Sequence, residues 1–433
     1  MFDVVGDVFA AEPSQIAGDT RESLAPSGVA DTRPAVRRRT WRLVPVDSCS
    51  AFELGIHPAS EPEADVPRLP PYVSRDHDSE LRAQLRRAAE NGGGTVVVIG
   101  DSSTGKSRSL YEACRQVLAG WQILLAEDPD GIRQARAASS ERIVMWLDDT
   151  RSPRFLTPSG LTAGDISEWT GSSAQSGPTI VVHLLWPAAY QEIMAPPTVS
   201  RFDSRPSPDP WRSTWDCLSL AVESAVWVGA TLTEIEKRRA AALAAETGDS
   251  RIGDALRDGH YGFTQYLAGA PQLIEHWKFG QASQPYGAAV LTAAIDLTCL
   301  GVRVLSSALL TEAMATYLTD EQFVEASPGA AEDALKYATA ELRGGVRALR
   351  PRRGPQLGAH GGYKLDDYLQ QRGELERHYV PVPAALWEVI GIHVTDMDLL
   401  SRLALAADDR GLTDHAFPLL SRTYMIDGSA RGG

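Results

Sequence analysis

The chain has 433 residues, with 42 Lys and Arg against 56 Asp and Glu, for a net charge of −14 at pH 7. That length allows several domains and more than one core, and a 43% hydrophobic fraction excludes wholesale disorder. The acidic balance argues against binding nucleic acid or an anionic membrane over the whole surface, and no apolar run approaches the roughly 20 residues of a membrane helix. Cys49, Cys114, Cys217 and Cys299 are scattered, without a C-x-x-C pair or a histidine at ligand spacing. They read as buried, reduced thiols with no zinc site. With no signal-like start, the reading is a cytoplasmic protein.

Residues 1–70 are rich in Pro, Ser and Asp and read as a largely flexible leader, touching down near Trp41–Val46, where an alternating run could add an edge strand. Order is expected from Tyr72. Leu81, Leu85, Ala88 and Ala89 predict a helix over Asp78–Glu90, stopped by Asn91-Gly92-Gly93-Gly94. Strands and helices then alternate. Strands are predicted at Thr95–Ile99, Gln122–Ala126, Ile143–Leu147, Thr179–Leu185 and Val226–Val228, with helices at Lys106–Leu118 and Gly131–Ala138. This order predicts an α/β fold, a parallel sheet with helices on both faces, over residues 71–230. Ala195–Ser213 reads as a surface insertion.

Residues 231–285 show helical patterns only, including a capping box at Thr233–Glu236. Over 286–380, helices at Ala288–Cys299, Ser307–Tyr317 and Ala330–Leu342 precede short strands at Val346–Leu349 and Tyr363–Leu365, the order of a winged-helix-like module. In 381–433, Asp396–Asp408 and Asp414–Tyr424 are split by Arg410-Gly411 and resemble one unit of a helical repeat, read as a cap.

Chemistry concentrates in one place. Gly100-Asp101-Ser102-Ser103-Thr104-Gly105-Lys106-Ser107 fits G-x-x-x-x-G-K-[ST] in full, after an apolar strand and before an amphipathic helix. The glycines let backbone N–H groups and the helix start point at polyphosphate oxygens. Lys106, one of only five lysines, can reach the β- and γ-phosphates, and the Ser107 hydroxyl can ligate Mg²⁺. Ile143–Leu147 is a buried-type strand ending in Asp148-Asp149. In such a pair Asp148 holds Mg²⁺ through water, and Asp149 orients the attacking water as the catalytic carboxylate. ATP and Mg²⁺ are therefore the expected ligands.

The order of these landmarks resembles the STAND class of signalling P-loop ATPases, related to AAA+ proteins. Tyr72-Val73-Ser74-Arg75-Asp76-His77-Asp78-Ser79-Glu80-Leu81 is similar to that family's opening motif, and Leu267-Ala268-Gly269-Ala270-Pro271 to the Gly-x-Pro motif of its helical lid. The resemblance implies an adenine pocket at Tyr72, Val73, Arg75 and Pro271. It also implies a lid over 231–285, a nucleotide-dependent regulatory switch, and self-association or a protein partner through the C-terminal helices. Ser74 and Asp76 depart from the family's glycine and glutamate. At the end of the Thr179–Leu185 strand a polar sensor is implied, and only His183 is present. Of the arginines near the loop, Arg108, Arg151 and Arg154, none stands out as an arginine finger. Alternatives are a DNA-binding regulator gripping phosphates with Arg347, Arg350, Arg352 and Arg353, a small-molecule kinase, and an ATP-binding scaffold without turnover.

Overall fold

The computed structural model describes residues 40–59, 67–126, 128–148, 156, 160–171, 177–195, 211–221, 223–354, 360–409 and 411–430. The α/β expectation holds for the first half. Among the described residues, β1 (Trp41–Pro45), β2 (Gly93–Ile99), β3 (Gln122–Ala126), β4 (Ile143–Leu147), β5 (Thr179–Leu185) and β6 (Val226–Trp227) form one sheet in the order β1-β3-β4-β5-β2-β6. Every pairing is parallel except that of β1 with β3. Trp41–Pro45 is thus the edge strand its alternation predicts.

The strands bury both faces, which is why they read as continuous apolar runs. Val96 and Val98 of β2, with Val144 and Trp146 of β4, pack on Leu81 and Leu85 of α1 (Asp78–Glu90) and Leu110 and Cys114 of α2 (Lys106–Val117). Met145 and Leu147 face the other way, onto Ile132 of α3 (Pro129–Ala138) and Ile166 and Trp169 of α4 (Ala163–Thr170). Short helices α5 (Pro187–Met194) and α6 (Arg212–Leu218) follow β5. The segment read as leader contributes more than an edge strand. Val46, Cys49, Ala51, Leu54 and Ile56 are buried in the core that α1 and α2 share with the sheet.

Helices dominate after β6. α7 (Glu234–Thr247), α8 (Ser250–Arg257) and α9 (Phe263–Leu267) enclose a small core of Ala240, Ile252, Phe263 and Leu267, and Val73 belongs to it. α10 (Ala270–Ser283) leads to α11 (Pro285–Cys299), whose Val290, Leu291, Ala293, Ala294, Ile295 and Leu297 are all fully buried. Around it lie α12 (Ser307–Ala315), α13 (Asp320–Glu325) and α14 (Ala330–Thr339).

The ribbon is β7 (Leu349–Arg353) with β8 (His360–Leu365), antiparallel. The first of these strands lies later than the predicted Val346–Leu349. A two-stranded ribbon is all edge, so Pro351 is tolerated in it and the arginines can point outward. α15 (Asp367–Arg377), α16 (Ala384–His393), α17 (Met397–Asp409) and α18 (Thr413–Ala430) complete the order. The last pair forms a hairpin whose Leu400, Leu403, Ala404 and Leu419 join one core with Leu386, Trp387 and Ile390 of α16. No helix among the described residues is long and apolar enough to cross a membrane.

Candidate functional site

Strand order places the Gly100–Ser107 loop. From β2 the chain crosses β4 and β5 to reach β3, whereas from β5 it passes β2 to reach β6. Connections therefore diverge at the carboxyl ends of the adjacent strands β2 and β5, the crevice where open α/β sheets bind ligands. The loop leaves β2 at that point. Gly100 N–H donates to Leu185 O at 3.1 Å, and Val228 N–H to Ile99 O at 2.7 Å, so its root is pinned between β5 and β6.

Two positions explain the glycines. At Gly100 a Cβ would lie 2.6 Å from Val228 O and 2.8 Å from Thr104 Oγ1. Gly105 has φ of 98°, a left-handed conformation, and caps the start of α2. Ser103, at φ 58°, is the one non-glycine residue with positive φ among the described residues. Such backbone strain collects at functional turns.

The loop is covered. Ser102, Thr104 and Lys106 are almost fully buried. The Lys106 ammonium folds back along the loop, donating to Gly100 O at 2.8 Å and Asp101 O at 2.9 Å. Gln265 of α9 donates from Nε2 to Ser102 O at 3.1 Å, and Gln371 of α15 accepts at Oε1 from Ser102 N–H at 2.8 Å. The hydroxyl of Thr264 and Oε1 of Gln272 are buried without a hydrogen-bond partner among the described residues. A Cβ at Gly105 would come within 3.3 Å of Thr264 Cγ2, so that side chain lies against the loop. Ser107 is half-buried in the first turn of α2.

Asp148 is half-buried, one residue past β4. Register puts Leu147, His183 and Val97 on one level, so Asp148 emerges at the same end of the sheet as Gly100, with β5 between them. Two strand spacings put β4 and β2 about 10 Å apart at that end. The donor set, a hydroxyl and a carboxylate, suits a hard cation such as Mg²⁺. Asp149, Arg151 and Arg154 lie outside the described residues. Arg108 pairs with Glu112 at 2.7 Å.

The opening motif sits against α2 and α7. Tyr72 OH lies 2.7 Å from Asp78 Oδ1 and 2.9 Å from Ser109 Oγ, and His77 Nε2 lies 3.0 Å from the same hydroxyl. Burial and the Asp78 charge push the Tyr72 phenol well above its usual range. Arg75 is buried: Nε donates to Glu236 Oε1 at 2.9 Å, and a terminal nitrogen to Gly229 O at 2.9 Å. Glu236, read from sequence only as a helix cap, also accepts from Asp76 N–H at 2.8 Å. It therefore joins the opening motif to α7, which no local pattern could reveal. Pro271 lies in the first turn of α10, where Gly269 (φ 85°) packs against Val346.

Searches against models of known protein families and against curated proteins found no match to this chain.

His183 is neither exposed nor satisfied. It is fully buried in β5 with both ring nitrogens lacking partners among the described residues, and burial holds its pKa down at about 4 instead of 6.5. The unfolded chain therefore binds the proton first as pH falls, and folded stability drops from about pH 6.5 downward until the buried ring protonates as well. Between pH 8 and pH 5 this one residue is expected to cost about 2 kcal/mol. His183→Leu should remove that part of the pH dependence, read as urea midpoints at the two pH values. A variant with unchanged dependence would contradict the assignment. Cys49, Cys114 and Cys217 are buried and unpaired, whereas Cys299, expected to be buried, is exposed.

Proposed function

We propose that the chain is an ATP-binding P-loop NTPase of slow turnover that acts as a nucleotide-dependent regulatory switch of STAND type. One observation carries this reading. A complete G-x-x-x-x-G-K-S loop leaves a buried parallel strand at the crevice where strand connections diverge, and helices from two later parts of the chain cover it. In this reading, backbone N–H groups of Ser102 to Lys106 receive the phosphates, and Lys106 swings from the loop carbonyls to the β- and γ-oxygens. Ser107 and Asp148 hold Mg²⁺, which would neutralise charge on the transferring phosphate. Tyr72, Val73, Arg75 and Pro271 frame the adenine, α7 to α9 act as the lid, α11 to β8 as the winged-helix-like module, and α17 with α18 as the repeat-like cap. Asp149 is the proposed base that orients water.

A switch requires that ATP and ADP favour different domain arrangements. Measuring mass in solution with ADP, ATP and a non-hydrolysable analogue tests this: a nucleotide-gated change in self-association supports it, and identical masses and shapes would count against it. Asp148→Asn should weaken ATP binding about tenfold with Mg²⁺ present and leave Mg²⁺-free binding unchanged, as titration calorimetry would read. Equal loss in both conditions would remove Asp148 from the metal site.

The DNA-binding alternative is less favoured by the ribbon. Arg347 pairs with Glu341, Arg350 lies 3.3 Å from Asp366, and Arg352 donates to Arg303 O at 3.3 Å, so three of the four arginines are already engaged within the chain.

A further inference from the structure

Gln371 makes two bonds to the loop at once. Its Oε1 accepts from Ser102 N–H at 2.8 Å, and its Nε2 donates to Asp101 Oδ1 at 2.9 Å. These contacts span about 270 residues of sequence, from the sheet to α15. The acceptor stands on an N–H of the kind that an anionic oxygen would use. The donor ties the Asp101 side chain to α15, so the loop is held at two adjacent residues.

α15 is also fastened firmly to the helices beneath it. Arg377 pairs with the buried Asp296 of α11 through two contacts of 2.6 Å, and Tyr317 OH reaches the same carboxylate at 2.6 Å. At Gly373 an added Cβ would fall 2.2 Å from Ile295 Cγ2, so the Ile295 side chain packs directly on the α15 backbone. Lys278 of α10 adds a 2.9 Å bridge to Glu376. Gln371 is thus presented to the loop by a C-terminal body in which α15 is braced on α10 and α11.

We infer that Gln371 is an internal competitor of the phosphates, a latch by which the C-terminal body and a bound triphosphate exclude each other at Ser102 and Asp101. This rests on the reading of Gly100–Ser107 as a triphosphate site. Because coupling is reciprocal, whatever factor the latch takes from ATP affinity, ATP takes from the attachment of the C-terminal body. A second contact, Gln265 to Ser102 O, leaves the loop N–H groups alone and needs no displacement.

The test uses the intact chain. ATP–Mg²⁺ affinity is measured by calorimetry for the native protein, Gln371→Ala and Gln371→Leu, with hydrogen exchange of residues 100–107 followed without nucleotide. Leucine keeps nearly the size of glutamine without its hydrogen-bonding groups or any added charge, so it opens the latch even if alanine perturbs packing. Both variants should bind ATP about tenfold tighter, the worth of one or two lost internal hydrogen bonds, and exchange the loop amides faster before nucleotide is added. If the native chain binds ATP and neither variant binds it more tightly, Gln371 is only a packing contact: the latch is overturned and the nucleotide reading stands. If no form binds ATP, the nucleotide reading fails and the latch with it.

Discussion

An alanine in place of Lys106 is expected to abolish ATP binding by the intact chain, with a loss of at least about a hundredfold. The ammonium is the only lysine charge in the loop and is buried at its root, donating to Gly100 O and Asp101 O. Transferred to phosphate oxygens, each of those donations gains an ionised acceptor, a bond worth about 1.5–3 kcal/mol. Two of them account for the expected loss. The nucleotide-free fold should be weakened by only about 1–3 kcal/mol, because the loop keeps its pins to β5 and β6. Calorimetric titration, with melting curves recorded in the absence of nucleotide, separates the two effects. Unchanged affinity in a folded Lys106→Ala chain would refute the site.

Arg75→Ala is expected to have the largest effect on stability, a loss of about 3–5 kcal/mol. Arg75 and Glu236 are both nearly inaccessible and meet at 2.9 Å, and removing the guanidinium leaves a carboxylate buried with no positive partner. The same pair carries Asp76, whose side chain takes Arg239 and Thr233, so the opening motif and α7 loosen together. Urea unfolding should therefore show a lowered midpoint, and replacing Glu236 with glutamine in the Arg75→Ala background should recover part of the loss. Acid should act in the same direction. Burial pushes the Glu236 carboxyl up, but N–H bonds from Asp76 and Thr233 and the Arg75 charge outweigh it, leaving it below its usual 4.5. Its contribution is present above about pH 4.5 and is lost as pH falls through the lowered value, a loss that Glu236→Gln should not show. A midpoint unmoved by Arg75→Ala would contradict the claim that this pair ties α7 to the opening motif.

Legibility followed locality. The Gly100–Ser107 loop and the strand before Asp148 were readable because each is a contiguous pattern whose chemistry is set by its own residues. The sheet strands were readable because burial on both faces leaves uninterrupted apolar runs. The helices Ala163–Thr170, Pro187–Met194 and Arg212–Leu218 were missed, being short and carrying little apolar periodicity, although Thr162 and Asp165 form a capping box that could have marked the first. Long-range roles were hidden altogether. Glu236 read as a cap and nothing more, and Gln371 carried no motif, yet both hold groups more than 150 residues away. His183 reads in sequence as the only residue at the place of a polar sensor. Its lack of partners depends on what β4 and β2 bring beside it, which no strand pattern encodes.

A crystal structure of the intact chain with Mg²⁺ and a non-hydrolysable ATP analogue would decide the matter. The expected result has the β-phosphate within hydrogen-bonding distance of the Gly105 and Lys106 amides, the Lys106 ammonium moved from Gly100 O and Asp101 O onto phosphate oxygens, and Mg²⁺ on the Ser107 side facing Asp148. An analogue bound elsewhere, with Lys106 still seated on its loop carbonyls, would contradict it.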